Sequence, residues 1–465
     1  MSSFGACDEC FRRKRKCHPA PNSMQCVRCQ TSSLPCTRTR RPGRIGRPPT
    51  TGISNQEGTF NIWESSTGDT IEEKHRAQPS STNSSTPSEV HSAELVQSNH
   101  CQEIQPQLSL PKVDDATFYE ALDVWMFGSS FARDFHRAIH YCHQTSPWLL
   151  HEMFITMDTC LEWARFSRTT SERVDVEGGA RSLQKLRTVE ITGAQDALAV
   201  LMLGQALAAF DLFVSFAGSI FILRYSLSLV RPWYPQFAQV QFLDSVTISP
   251  IFWDIVDCLA HRQVPVIRPQ LRDAPVVDRL AGLCASLLPT LYDLCVIGHD
   301  MRRDPDQAWR LDNVEAQILR WTPDYRALES LGCSEIEIVS MRTQAVMYRL
   351  ASLLLIHRLR YLLTCHNNTA TSLANEILAE RNAFFSNQSS DVTLQNVGLP
   401  LFLAVLEVPL SIDDMWRSST RLHVRPVCVD RLISFHRYFW EQRLSGFNGS
   451  VFELIDRGPT FVVLP

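Results

Sequence analysis

The sequence predicts three successive stretches: a small cysteine-bound module of loops and short helices, a disordered linker, and a large all-α domain. Three observations carry this reading. Six cysteines fall in a doubled spacing within the first 36 residues. Residues 51–114 are rich in serine and show no sustained apolar period. From about Asp115 onward, apolar residues recur at helical intervals, with little strand alternation. With 465 residues, 44% hydrophobic and 20% charged, the chain is long enough for two or three domains.

The cysteines come first. Cys7, Cys10 and Cys17 have the spacing C-x2-C-x6-C, and Cys26, Cys29 and Cys36 repeat it after an eight-residue gap. A C-x2-C turn brings two thiolates to one tetrahedral zinc at about 2.3 Å. Six thiolates can serve one zinc with two left over, or two zincs if two thiolates bridge. The doubled repeat favours the second arrangement, with the first cysteine of each unit, Cys7 and Cys26, as the bridges. A disulfide framework would need an oxidising compartment, and the opening MSSFGACDEC carries no apolar stretch for export.

The two repeats differ in charge. Phe11 is followed by five cations, Arg12, Arg13, Lys14, Arg15 and Lys16, whereas Gln30 to Pro35 carries no charge. Asp8 and Glu9 stand where they favour the start of a short helix. A cationic helix anchored at both ends by metal is a rigid probe for a polyanion, since Arg and Lys pair with O6 and N7 of guanine in the major groove.

CDECFRRKRKC followed by CVRCQTSSLPC resembles the DNA-binding domain of fungal binuclear zinc cluster (Zn2Cys6) transcription factors. The resemblance implies a two-helix cluster domain over residues 1–36. It implies that Cys7, Cys10, Cys17 and Cys26 hold one zinc and Cys7, Cys26, Cys29 and Cys36 the other. It places Arg13 and Lys14 where the family contacts a CGG triplet, with Lys14 as the main reader. Phe11 departs from the basic residue common at its position, and the loop His18 to Gln25 carries its prolines early, at 19 and 21.

Residues 37–50 form a basic Arg/Gly/Pro arm with Arg38, Arg40, Arg41, Arg44 and Arg47, whose prolines and glycines oppose helix. Arg44 to Pro48 is similar to the AT-hook core that lies in a narrow minor groove; nuclear import and phosphate binding are competing uses. With Arg12, Arg15, Lys16 and Arg28, the arm is expected to neutralise phosphates. Residues 1–48 hold eleven Lys and Arg against two acids, a net of +9, while the whole chain is at −4. A basic head on an acidic body suits a protein whose head alone meets nucleic acid. The Gly-Arg-Pro arm is also reminiscent of regulators of fungal secondary-metabolite pathways.

The linker, 51–114, includes seven serines between Ser80 and Ser98, too polar to bury a core. No heptad run follows the cluster, so dimerisation is left open. In 115–465, Phe118, Leu122, Trp125 and Met126 mark a first helical face, and Phe131, Phe135, Ile139 and Cys142 a second. Further helices are expected near 181–230, 240–262, 275–298, 307–321, 335–366, 371–386, 400–417 and 428–444. This region resembles the middle regulatory domain of zinc cluster factors. Ala197 to Leu223 is apolar enough to suggest a membrane span, but Gln205 and Asp211 interrupt it, and Gly204 with Gly218 divides it into two buried helices.

His136, His140 and His143 share one helical face, yet Arg137 occupies the position where a zincin carries its glutamate base. No G-x-S-x-G elbow and no glycine-rich phosphate loop occurs. The nine other cysteines read as buried free thiols. The expectation is therefore a nuclear, zinc-dependent, sequence-specific RNA polymerase II transcription factor and not an enzyme. Double-stranded DNA and the transcription machinery are its partners, and no membrane is involved. The resemblance implies activation, and the arm points to a biosynthetic gene cluster. A zinc-stapled protein–protein adaptor and a zinc enzyme built on the histidine face are the rival classes.

Overall fold

Chain contacts divide the protein into two units, Met1–Cys101 and Gln102–Pro465, each considered on its own. The computed structural model describes residues 7, 10, 17, 25–32, 36–37, 126–165, 174–214, 218–270, 272–273, 275–388, 392, 394–409 and 426–465. The linker, the basic arm, the cations Arg12 to Lys16 and the helical face at 118–125 lie outside these residues.

In the first unit the described helix is α1, Val27–Thr31. Its N-cap is Cys26, whose sulfur accepts the Cys29 backbone N–H, so a cysteine of the doubled motif also starts the helix.

The second unit is built of helices alone: among its described residues there is no strand, and one isolated bridge joins Asp278 and Gly282. In order the helices are α2 (Ala132–Thr145), α3 (Pro147–Arg165), α4 (Val176–Thr188), α5 (Ala194–Val214), α6 (Ser219–Val230), α7 (Tyr234–Phe237) and α8 (Asp244–His261). They continue with α9 (Leu288–Asp300), α10 (Arg310–Arg320), α11 (Arg326–Leu331), α12 (Glu335–Arg360), α13 (Asn367–Ser386), α14 (Gly398–Glu407), α15 (Pro426–Leu444) and α16 (Val451–Arg457).

Helix α5 is apolar on every side, which marks a helix enclosed by others. Among the described residues it is the one helix long and apolar enough to cross a bilayer, and here it is largely buried, packed against α2, α3, α4, α6 and α8. Its polar interruptions are satisfied. Gln205 donates to Val246 O at 2.8 Å, and Asp211 accepts the Gly218 N–H at 2.9 Å. Helix α5 ends at Val214 and α6 starts after its N-cap Gly218, as expected for that glycine, but α5 is not interrupted at Gly204. Gly204 lies inside α5, where a Cβ would overlap Ser226 Cβ and Oγ of α6. The glycine lets two backbones approach closely. Gly204→Ala should therefore cost about 1–3 kcal/mol through overpacking. Gly193→Ala, where a Cβ meets nothing within 4 Å, should stay within about 0.5 kcal/mol. Urea denaturation of the two variants separates these outcomes.

Helix α8 joins the two halves of the domain, touching α2, α5 and α6 on one side and α9 and α16 on the other. On the far side α12 packs against α9, α10, α13 and α14. Helix α12 opens with a capping box, Ser334 and Glu337. Glu337 also accepts the Ser130 N–H (3.0 Å) and hydroxyl (2.7 Å), fixing the turn that precedes α2.

Three expected helices need correction. The one placed at 275–298 starts only at Leu283, because the Asp278–Gly282 bridge and Gly282 at φ +53° hold the preceding residues in a turn. The one placed at 335–366 stops at Arg360, and Leu362 lies beyond it, half exposed. The apolar face ending at Met126 does not continue as helix: Met126 and Phe127 form a bend. Helices α3, α7, α11 and α16 were not anticipated. Of these, α3 carried a legible signal in Pro147 at its first position.

A fully buried ion pair joins α12, α14 and α15. Arg358 grips Glu407 through two hydrogen bonds, Nε to Oε1 at 2.6 Å and Nη2 to Oε2 at 2.5 Å, with both side chains buried. Arg443 adds a contact to Glu407 Oε2 at 3.3 Å, and Arg358 Nη1 donates to Leu362 O at 3.0 Å.

Candidate metal centre

The cysteines of the two repeats make the same pair of backbone-to-sulfur hydrogen bonds. In the first, the Cys10 N–H donates to Cys7 Sγ (3.4 Å) and the Cys7 N–H to Cys17 Sγ (3.4 Å). In the second, the Cys29 N–H donates to Cys26 Sγ (3.3 Å) and the Cys26 N–H to Cys36 Sγ (3.2 Å). Sequence repetition is matched in these bonds: in each half the first cysteine accepts from the second and donates to the third.

Between the halves the sulfurs converge. Cys7 Sγ lies 3.8 Å from Cys26 Sγ and 3.6 Å from Cys29 Sγ, and Cys10 Sγ lies 3.6 Å from Cys26 Sγ. Four thiolates about 2.3 Å from a tetrahedral ion stand roughly 3.8 Å apart, so these spacings fit metal ligation. The sulfurs form two groups of four, each with all members within 4.8 Å: Cys7, Cys10, Cys17, Cys26 and Cys7, Cys26, Cys29, Cys36. Cys7 and Cys26 belong to both. Cys7, Cys10, Cys26 and Cys29 are buried, and Cys17 and Cys36 are partly exposed.

The thiol acidities divide along the same line. The Cys29 backbone N–H draws Cys26 down to about 6. Cys7 is also lowered: burial opposes this, and hydrogen bonds from the backbone and thiol of Cys10 and from Cys29 outweigh it. Cys10 is pushed up to about 12, chiefly by burial. Cys17, Cys29 and Cys36 are raised as well. The two sulfurs shared between the groups are thus the two most ready to carry negative charge, the form in which sulfur binds zinc.

The six cysteines expected from the spacing are therefore brought together, and they can hold metal in a manner consistent with a Zn2Cys6-like motif. Of the cations expected to meet DNA, Arg28 is described, exposed on α1. Arg12, Arg13, Lys14, Arg15, Lys16, Arg38, Arg40, Arg41, Arg44 and Arg47 lie outside the described residues.

The three-histidine face behaves differently. His143 is buried and packs on the Phe154 ring, His140 is exposed and bonded to Gln144 at 2.7 Å, and Arg137 stacks over Phe242. Among the described residues, only the six cysteines gather three or more metal-ligating atoms. Cys142, Cys160, Cys258, Cys284 and Cys295 are buried, as expected, whereas Cys333 is partly buried and Cys365 exposed. Comparison of the chain with protein-family models, curated proteins and solved structures gives no match.

Proposed function

We propose that the protein is a nuclear, zinc-dependent transcription regulator that reads CGG-like triplets in the major groove. In this reading two zinc ions fill the two sulfur groups and share Cys7 and Cys26, and the amino-terminal unit is a two-helix cluster domain. The observation that carries the reading is the position of the cations. Arg12 to Lys16 lie in sequence between Cys10 and Cys17, and those two cysteines fall in one four-sulfur group. Both ends of the basic run are thereby clamped to the same ion. A clamped cationic segment loses little conformational freedom on meeting a duplex, so its charges are spent on phosphates and base edges.

Division of labour among the cations follows from their sequence positions. Arg13 and Lys14 present donors to guanine O6 and N7. Arg12, Arg15, Lys16, Arg28 and the arm Arg38 to Arg47 neutralise phosphates, which makes affinity steeply salt-dependent. The all-α domain would then couple this binding to co-regulators, with activation as the outcome and a biosynthetic gene cluster as the target.

The test is selection of bound sequences from a random duplex library with the full chain, followed by two substitutions. Lys14→Ala should cost about 1–3 kcal/mol at the selected site and relax its base preference. Arg40→Ala should weaken binding about equally on all sequences and lower the salt slope. A chain that binds GC-containing duplexes with no salt dependence, or not at all, is a zinc-stapled adaptor instead.

A further inference from the structure

Helix α8 carries a proline, Pro250, in its interior. Proline has no N–H to give the carbonyl four residues back and crowds it as well. That carbonyl is Val246 O, and Gln205 of α5 supplies the missing donor at 2.8 Å. The opening this creates between α5 and α8 is not filled. A cavity of about 110 Å³ remains, walled by Phe135 and Ile139 of α2, Phe154 and Met157 of α3, several residues of α5, and Pro250 and Trp253 of α8. Apolar cavities of comparable size, about 150 Å³, take up a benzene-sized guest.

One wall is charged. Arg279 lines the cavity and is only 6% exposed. Its guanidinium lies over the Phe135 ring, 4.0 Å from the centroid, and its Nε donates to Ser245 O at 2.9 Å. Among the described residues no carboxylate comes within ion-pairing distance of it, and neither of its terminal nitrogens has a hydrogen-bond acceptor. The adjacent Asp278 is already engaged by the Ser249 hydroxyl and the N–H groups of Leu280 and Ala281. Burial lowers the pKa of Arg279 to about 10, against the pull of Asp278, so it remains a cation at neutral pH. A buried cation with no direct ion pair is costly, and an arginine fork is shaped to take a carboxylate.

We propose that this cavity binds a small apolar carboxylic acid, its ring or short chain between α2, α3, α5 and α8 and its carboxylate on the terminal nitrogens of Arg279. The site is independent of the zinc-and-DNA reading, and its failure would leave that reading untouched.

The test uses the full chain and three probes, benzoate, 3-phenylpropionate and octanoate, with 3-phenylpropionamide as the uncharged match. Calorimetry and thermal unfolding should show saturable binding of at least one acid, about tenfold or more tighter than the amide. Arg279→Gln should abolish that preference. Ala209→Phe, which fills the cavity from α5 and keeps Arg279, should abolish binding of every probe while the chain stays folded. If Arg279→Gln does not fold, the acid-to-amide ratio and Ala209→Phe still decide. Absence of binding by all three acids overturns the proposal. So does equal affinity for acid and amide, or undiminished binding by Ala209→Phe.

Discussion

Replacing Cys26 by serine should empty the amino-terminal unit of metal, whereas replacing Cys17 by serine should empty only half of it. The reason is membership: Cys26 belongs to both four-sulfur groups and Cys17 to one. Serine offers a hard, weakly acidic oxygen in place of a thiolate, so each affected group falls to three sulfurs. So small a unit has little apolar surface to hold it together, and metal ligation in comparable modules supplies about 10–16 kcal/mol of apparent folding free energy. Native mass spectrometry of the full chain should find two zincs in the parent, one in Cys17→Ser and none in Cys26→Ser. Duplex binding should vanish in Cys26→Ser and in the parent after chelation. Two zincs retained by Cys26→Ser would refute the shared-sulfur arrangement.

The second large effect lies in the helical domain. Glu407→Ala should cost about 3–5 kcal/mol, because it leaves the Arg358 guanidinium buried with no counter-charge. Arg358 is only 3% exposed and donates two hydrogen bonds to that one carboxylate. Thermal unfolding should shift down by on the order of 5–15 °C. The double variant Arg358→Met, Glu407→Leu should recover much of the loss, since an apolar pair of similar volume avoids the desolvation penalty. Recovery will be incomplete, because Arg358 also donates to the carbonyl of Leu362 and to the Asn367 side chain. If the single and double variants were equally unstable, packing and not charge would be the origin.

How legible these features were depends on the range of the interaction behind them. The cysteine centre is local: each half's spacing and backbone-to-sulfur bonds span about ten residues, so a doubled motif sufficed to identify the candidate ligands. The helices were readable where one face is polar, as in α2 and α10. They were less so in α3 and α16, where the sequence around Pro147 and Ser450 holds the start signals but the apolar period is weak or short. Gly204 shows the limit of punctuation rules. Glycine suggested a break, and the structure uses it for contact with Ser226, a residue 22 positions away that no local reading supplies. The same holds for Arg358 with Glu407, 49 residues apart, and for Gln205 with Val246. Such pairs exist because the fold brings them together. Arg279 was legible only as a cation; its isolation is a property of the surrounding helices.

The sharing of Cys7 and Cys26 also bears on how the centre fills. Were two zinc ions to occupy the two sulfur groups, the first would draw both of these sulfurs to itself and so assemble half of the neighbouring group. The second would then need only Cys29 and Cys36 to complete its own set, with less ordering of chain. Uptake should accordingly be steep, with singly loaded chains scarce at any intermediate supply. In a cell, such a protein would answer to zinc scarcity as a threshold, not as a slope.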